Sequence, residues 1–473
     1  MEQTLTSTIA AVASAPGRGA VTLVRISGPR VFEIFGKIWK GKDLAEVPTH
    51  TAHLGYIIDP ESPEVPVDQV LATVFRAPAT FTGEDMVELG LHGSPLIARQ
   101  VLRLLTEAGA ELAGPGEFSR RAVQNGRMSL LQAEAAADLV AATSRAGQRL
   151  AMSQMRGGVE SRLQQMQSQL LHLASLLELE LDFSEEDVEF APRSELCAIA
   201  SDIHDHLSTL LKSFSTGHAI KEGVPVAIVG PTNAGKSSLL NALLGDDRAI
   251  VSDIHGTTRD VVEDTMQIGD YVFRFMDTAG LRATSDPIER AGIDRSRSAL
   301  QRARIVLFLW DSTAPFPTEL WNETLTCKAP DTTIISLANK SDLANKSDIP
   351  SKSDPATSTN CLHGSFPISA KTGEKIPELL GCLENTMRKA EDTAGDLLLT
   401  TERHRAHIQE ALTALDRVLT ALPNDASAPQ LLPSDLIAQD VRAVIAPLSE
   451  LTGTALQTPA ILQNIFKNFC IGK

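Results

Sequence analysis

No stretch of the chain approaches the ~20 consecutive apolar residues that a membrane-spanning helix needs. The longest strongly apolar run, Ile305 to Trp310, has the length of a buried strand instead. Basic residues are in deficit: 43 Lys and Arg stand against 59 Asp and Glu, for a formal charge of −16. That balance excludes a surface acting as a general glove for nucleic acid, while leaving room for a local basic patch. The five cysteines, at 197, 327, 361, 382 and 470, form no close pair and no zinc-type spacing. They read as reduced thiols of a cytoplasmic protein. Ala11 to Ala15 resembles a small-residue cleavage site, but Glu2 is the only charge before it, so the basic region of a secretory signal is missing. No long-period repeat occurs. What remains is ordinary globular composition, 43% hydrophobic and 22% charged over 473 residues, a length that suggests about three domains.

The period of the apolar residues changes along the chain. Residues 1–121 mix strand-like runs, Val21 to Ile26 and Gln69 to Phe75, with a helix expected over Pro95 to Ala108, an α+β pattern. Over 122–217 the spacing is helical: Leu163, Met166, Leu170, Leu173, Leu177 and Leu181, then Leu196, Ile199, Ile203, Leu207 and Leu210. Between them Glu178 to Glu189 holds seven carboxylates and no basic residue, read as a solvated loop and helix terminus. Over 218–386 short strands alternate with helices, the signature of a mostly parallel α/β sheet. Over 387–473 helical spacing returns with Ile408, Leu412, Leu415 and Leu419, then Leu436, Val441, Val444 and Leu448. Two helical blocks around an α/β block predict one helical domain with the α/β domain inserted into it.

The α/β block carries the chemistry. Val226 to Val229 is a buried-strand run, followed by Gly230-Pro231-Thr232-Asn233-Ala234-Gly235-Lys236-Ser237 and a helix expected from Ser238 to Leu244. This is the P-loop pattern in its strand–loop–helix setting. Its glycines let backbone N–H groups wrap phosphates, Lys236 reaches the terminal phosphates, and Ser237 offers a hydroxyl to Mg²⁺. Asn339-Lys340-Ser341-Asp342 follows the strand-like Thr333 to Leu337. A carboxylate at Asp342 can accept from guanine N1–H and N2–H, a pair adenine lacks. The motif recurs at Asn345-Lys346-Ser347-Asp348, but only the first copy sits at a strand end, where α/β ligand sites form. Ser369-Ala370-Lys371 would back the base with amides. Asp277-Thr278-Ala279-Gly280 supplies an acid for Mg²⁺ and an amide for the γ-phosphate, and Gly256-Thr257-Thr258 a threonine for Mg²⁺. Together these predict a GTPase. Leu281 stands where many small GTPases place a water-orienting Gln. Leu cannot orient water, which leaves Arg259, Arg282, Glu289 and Arg290 as nearby candidates.

Segments across the whole chain then resemble one family, MnmE (TrmE), the bacterial and organellar GTPases that modify wobble uridine in tRNA. The carrying residues are Ala15 to Gly19, Arg25-Ile26-Ser27-Gly28, Phe81 to Leu89, Gly114 to Ala122, Gln132 to Ala135, the GTPase motifs through Arg282, and the terminal Phe469-Cys470-Ile471-Gly472-Lys473. The resemblance implies an N-terminal domain that binds a tetrahydrofolate derivative, in the 5-formyl or methylene form, and mediates homodimerisation. Folate contacts carry over to Arg25, Glu88, Arg127 and Lys473, with Arg127 where a Lys is expected. Potassium ligands carry over to Asn233, Ser252, Ile254 and Thr257. The loop Ser252-Asp253-Ile254-His255-Gly256-Thr257-Thr258 joins the GTP site, with Thr258 on Mg²⁺; Ser238 joins it from the P-loop helix. Glu289 matches the family's water-orienting glutamate, and Cys470 stands where a role near the folate or RNA is plausible. An FAD- and NADH-dependent partner, MnmG, is implied, and no G-x-G-x-x-G occurs here to bind flavin. The alternatives are a ribosome-assembly or other RNA-associated GTPase switch without modification chemistry, and a stand-alone folate-dependent aminomethyltransferase.

Overall fold

The computed structural model describes residues 7–182, 193–248, 263–276, 297–343, 365–395, 397–422, 433–453 and 472. The chain divides into two compact units: Met1–Ala137, Met155–Gln167 and Ile445–Lys473 form one, Asp138–Gln154 and Ser168–Val444 the other.

The first unit is built on a seven-stranded sheet. Its strands are β1 (Ile9–Val12), β2 (Val21–Ser27), β3 (Trp39–Lys40), β4 (Thr51–Ile58), β5 (Pro66–Phe75), β6 (Met86–His92) and β7 (Glu111–Leu112), in the order β3-β4-β5-β6-β2-β1-β7. All neighbours are antiparallel except β1 and β7. Alternation along the strands sends Val24 and Ile26, Val70 and Ala72, and Val87 and Leu89 to one face. There they pack under α1 (Val31–Gly36) and α2 (Pro95–Ala108). Helix α2 has the expected bounds: Pro95 supplies a preorganised first turn, and Gly109, at φ 115°, closes the end in the left-handed region. The opposite face carries Arg25, Glu88, Leu54, Tyr56 and Leu71, with α3 (Glu117–Gln124) near its β1 end.

Longer helices follow: α4 (Leu130–Ala141), α5 (Arg145–Met155), α6 (Gly158–Asp182) and α7 (Arg193–Glu222). The predicted stripe Leu163, Met166, Leu170, Leu173 and Leu177 is buried, and α6 ends at Asp182, inside the acidic segment, as the helix-terminus part of that reading expects; residues 183–189 lie outside the described residues.

The second unit holds a six-stranded sheet of β8 (Val224–Val229), β9 (Glu263–Ile268), β10 (Tyr271–Met276), β11 (Ile305–Asp311), β12 (Thr333–Asn339) and β13 (Phe366–Pro367). Its order is β13-β12-β11-β8-β10-β9, parallel except for β9. Strands buried on both faces read as continuous apolar runs, which is why Ile305 to Trp310 looked uniform in the sequence. One face, with Ile228, Leu307 and Leu337, packs on α8 (Lys236–Arg248) and on α10 (Ile376–Ala394). The other, with Val229, Val306 and Phe308, packs on α9 (Thr318–Cys327) and residues 299–303. Helix α8 starts two residues before Ser238 and is broken at Gly245. The last helices among the described residues are α11 (Glu402–Ala421) and α12 (Ser434–Thr452). In α12 the buried stripe is Ile437, Val441, Val444 and Leu448; Leu436, expected inside, is 42% exposed. Two adjacent apolar residues left that choice open, and the 3.6-residue period from Val441 favours Ile437.

Candidate functional site

The parallel sheet presents its C-terminal strand ends along one edge, where open α/β folds bind ligands. The P-loop leaves β8 there, Asp311 and Ser312 close β11, Asn339 to Asp342 follow β12, and Ser369 to Lys371 follow β13. Asn233 takes a left-handed backbone, φ 65°, which Asn tolerates better than most residues. Gly235, at φ 98°, could not carry a side chain, because a Cβ would lie 2.3 Å from Asn339 Nδ2. Lys236 Nζ donates to the carbonyls of Gly230 at 2.8 Å and Pro231 at 2.9 Å, so the ammonium is held inside its own loop. Burial pushes its pKa down, favouring an anionic partner for the charged form. Lys236 and Ser237 lie in the first turn of α8, at the positive end of its dipole. Ser237, Ser238 and Asn233 are exposed to that cradle.

Asn339 has a role that the base-recognition motif did not suggest. Its side chain is buried, donates Nδ2–H to Ala234 O at 2.7 Å, and accepts the Ala370 N–H on Oδ1 at 2.9 Å. One amide thus ties the P-loop to the loop after β13. Lys340, at φ 64°, pairs with Asp311 at 2.6 Å. Burial raises the Asp311 pKa, but hydrogen bonds from Lys340 and Thr313 outweigh it and hold it below the usual carboxylate value. The exposed Asp342 stands on the adjoining turn, free to face a base. Ser369 anchors a tight turn, its Oγ accepting Thr372 N–H and its carbonyl Gly373 N–H, which presents Ala370 and Lys371. Ser252 to Thr258, Asp277 to Gly280, Glu289 and the second Asn-Lys-Ser-Asp copy lie outside the described residues.

In the first unit, Arg25 and Glu88 are directly opposed on β2 and β6. Arg25 Nε and Nη2 both bond Glu88 Oε1, at 2.8 and 2.7 Å. Its Nη1 donates to the carbonyl of Gly472 at 3.3 Å, which brings Gly472 to this pair. Gly472 is itself required: at φ 93°, an added Cβ would lie 2.3 Å from Val12 O. The rings of Phe81 and Phe118 lie 5.0 and 5.6 Å from the Arg25 guanidinium carbon, within cation–π range. Arg127 Nε donates to Thr80 O at 3.2 Å on the loop that bears Phe81. Cys470 and Lys473 lie outside the described residues. Sequence reasoning missed both rings. The signal was their place inside the Phe81 to Leu89 and Gly114 to Ala122 segments, which carried the resemblance without a stated role.

Among the described residues no group of His, Cys, Asp or Glu could by itself hold a metal ion, and no helix is long and apolar enough to cross a membrane. A family model described as the GTP-binding protein TrmE N-terminus matches residues 8–127, and one described as the MnmE helical domain matches residues 130–470. A tRNA modification GTPase MnmE of Parabacteroides distasonis is 45% identical over 473 residues, spanning 99% of this chain and all of the relative. One of Cytophaga hutchinsonii is 42% identical, spanning 99% of this chain and 98% of the relative. With both ends of the sequence and its GTPase segment inside these matches, the chain belongs to the MnmE family of tRNA modification GTPases.

Proposed function

We propose that the protein is a potassium-dependent GTPase that, with an FAD- and NADH-dependent MnmG partner, drives folate-derived one-carbon addition at C5 of wobble uridine 34 in tRNA. The observation that carries the GTPase half is the Asn339 bridge, which holds the P-loop and the loop after β13 at one spacing, beside the exposed Asp342. Phosphates enter the backbone cradle of Asn233 to Ser238, with Lys236 leaving its loop carbonyls for the β- and γ-oxygens. Asp342 accepts the guanine N–H pair, and Ala370 and Lys371 back the base. The Ser237 and Thr258 hydroxyls would hold Mg²⁺, which would supply positive charge against the phosphates. The P-loop fits that load, since Ser237 is open to the cradle at a helix N-terminus. Ser252 to Thr258 and Asp277 to Gly280 complete the pocket, and Glu289 orients the attacking water, a task Leu281 cannot perform.

Asn233, Ser252, Ile254 and Thr257 would hold K⁺. The exposure of Asn233 on the P-loop supports the assignment, because it leaves the residue accessible to an ion. A cation there supplies the charge an arginine finger gives elsewhere. Arg25, Glu88, Arg127 and Lys473 hold the folate, which fits a site already built from a paired cation and carboxylate between two rings. The homodimer forms across the outer sheet face, where Leu54 and Leu71 oppose each other and are 66% and 47% exposed. That face also bears Arg25 and Glu88. Domains then run 1–121, 122–217, 218–386 and 387–473, and the protein works in the cytoplasm.

GTP turnover in KCl and in NaCl tests the potassium reading. Wild type should be stimulated by K⁺ alone, Asn233→Ala should lose the stimulation, and Glu289→Ala should bind GTP without hydrolysing it. Stimulation retained in Asn233→Ala would refute the ligand assignment.

A further inference from the structure

We propose that the ion pair between the buried Arg121 and the partly buried Glu84, with Ser27 and Thr82, is a positioning device for the ligand site around Arg25; the inference rests on the folate reading above. Arg121, on α3, is 2% exposed and has the largest fully buried side chain among the described residues. Its Nη1 donates to both Glu84 oxygens, at 3.1 and 3.2 Å, and to Ser7 O at 2.7 Å. Its Nη2 donates to Glu117 Oε1 and to Ser7 Oγ, each at 3.1 Å, while its buried Nε has no partner.

Glu84 is shared. Its Oε2 also accepts the Ser27 hydroxyl at 2.7 Å, and Ser27 Oγ lies 2.7 Å from Thr82 Oγ1, both residues being fully buried. Proton bookkeeping fixes the direction. An ionised carboxylate only accepts, so Ser27 gives its single proton to Glu84 and must accept from Thr82. Thr82 Oγ1 in turn accepts the Glu84 backbone N–H at 3.2 Å, closing the loop on itself.

Holding a loop does not require this. Apolar anchors would do so without desolvating two carboxylates and a guanidinium, or orphaning an Nε. What the polar network adds is direction, and both of its arms end on the same group. The loop it clamps carries Phe81, and α3 carries Phe118; the two rings flank the Arg25 guanidinium. Ser27 lies two residues beyond Arg25 on β2. The same loop receives Arg127 Nε at Thr80 O and Asn125 Nδ2 at Thr82 O. Two of the three cations assigned to the folate, Arg25 and Arg127, are therefore aimed by one clamp. Glu84, Arg121, Ser27 and Thr82 touch no ligand themselves; they act through Phe81, Phe118 and Arg25.

The test is equilibrium binding of 5-formyltetrahydrofolate to the full chain, with melting temperature and GTP turnover measured on the same samples. Thr82→Val keeps the shape and removes the hydroxyl, Thr82→Ser keeps the hydroxyl, and Glu84→Gln removes the charge. Thr82→Val and Glu84→Gln should bind about tenfold more weakly, the scale of one charge-assisted hydrogen bond. Thr82→Ser should bind like wild type. GTP turnover should be unchanged in all three, and Thr82→Val, which leaves the Ser27 hydroxyl and the Glu84 N–H each short of a buried partner, should melt below Thr82→Ser. Binding lost in Arg25→Ala but kept in Thr82→Val and Glu84→Gln overturns the positioning role alone. Binding kept in Arg25→Ala, or absent from wild type, overturns the folate reading and the positioning role with it.

Discussion

Replacing Asn339 by Ala removes two hydrogen bonds whose other ends are buried: the Ala234 carbonyl at 2.7 Å and the Ala370 N–H at 2.9 Å. Ala234 and Ala370 are 1% and 7% exposed, so neither group finds bulk water while the loops keep their spacing. A buried group left unpaired costs ~1–3 kcal/mol, which sums to about 2–6 kcal/mol for the pair. Without nucleotide the loops can part and recover that cost by hydration. GTP must draw them back together, so the loss falls on affinity more than on stability. Water entering the vacated volume offsets part of it, which leaves about 2–3 kcal/mol. At 1.4 kcal/mol per factor of ten, the Kd for GTP should rise about 30- to 150-fold. Asn339→Asp should lose at least as much, because a second acceptor would then face the Ala234 carbonyl. Titration with a fluorescent GTP analogue beside a thermal melt measures both quantities. A Kd within about threefold of wild type would refute the bridge as a determinant of nucleotide binding.

Two further substitutions probe the neighbouring assignments. Asp342→Asn should weaken GTP about tenfold or more, as one charged acceptor of two N–H groups is lost, and should improve xanthosine triphosphate, whose 2-oxo group accepts from an amide; competition titrations of the two nucleotides decide it. Leu71→Glu places a charge in the middle of the exposed Leu54–Leu71 strip and should shift a dimer towards monomer in light scattering, with GTP affinity unchanged. A dimer of undiminished stability would move the self-association surface elsewhere.

Much of this architecture was legible because local rules and tertiary need agreed. Helix α2 begins at Pro95 and stops at Gly109 because φ restriction and left-handed freedom are properties of those two residues alone. Strands β8 and β11 were visible as apolar runs because both faces of their sheet are covered. The glycine, lysine and serine of the P-loop were legible for the same reason, since phosphate chemistry tolerates few substitutes. What escaped was long-range. Nothing within ten residues of Asn339 shows that its amide spans two loops, because its partners lie 105 and 31 residues away. Arg121 looked like any basic residue on a helix, and only the meeting of α3 with the Glu84 loop buries it. The two-residue strands β3 and β7 were equally silent, having no period to display. The net charge of −16 remains consistent with a tRNA substrate if the RNA is held at local patches and by a partner subunit.

Reconstitution shows whether GTP hydrolysis by this chain drives a folate-dependent change at uridine 34. The protein, an MnmG partner, FAD, NADH, a tetrahydrofolate donor and unmodified tRNA would be incubated in KCl with GTP or a non-hydrolysable analogue, and the nucleosides read by mass spectrometry. A C5-substituted uridine at position 34 is expected with GTP, and none with the analogue or without this chain. Equal yields with GTP and the analogue would contradict it.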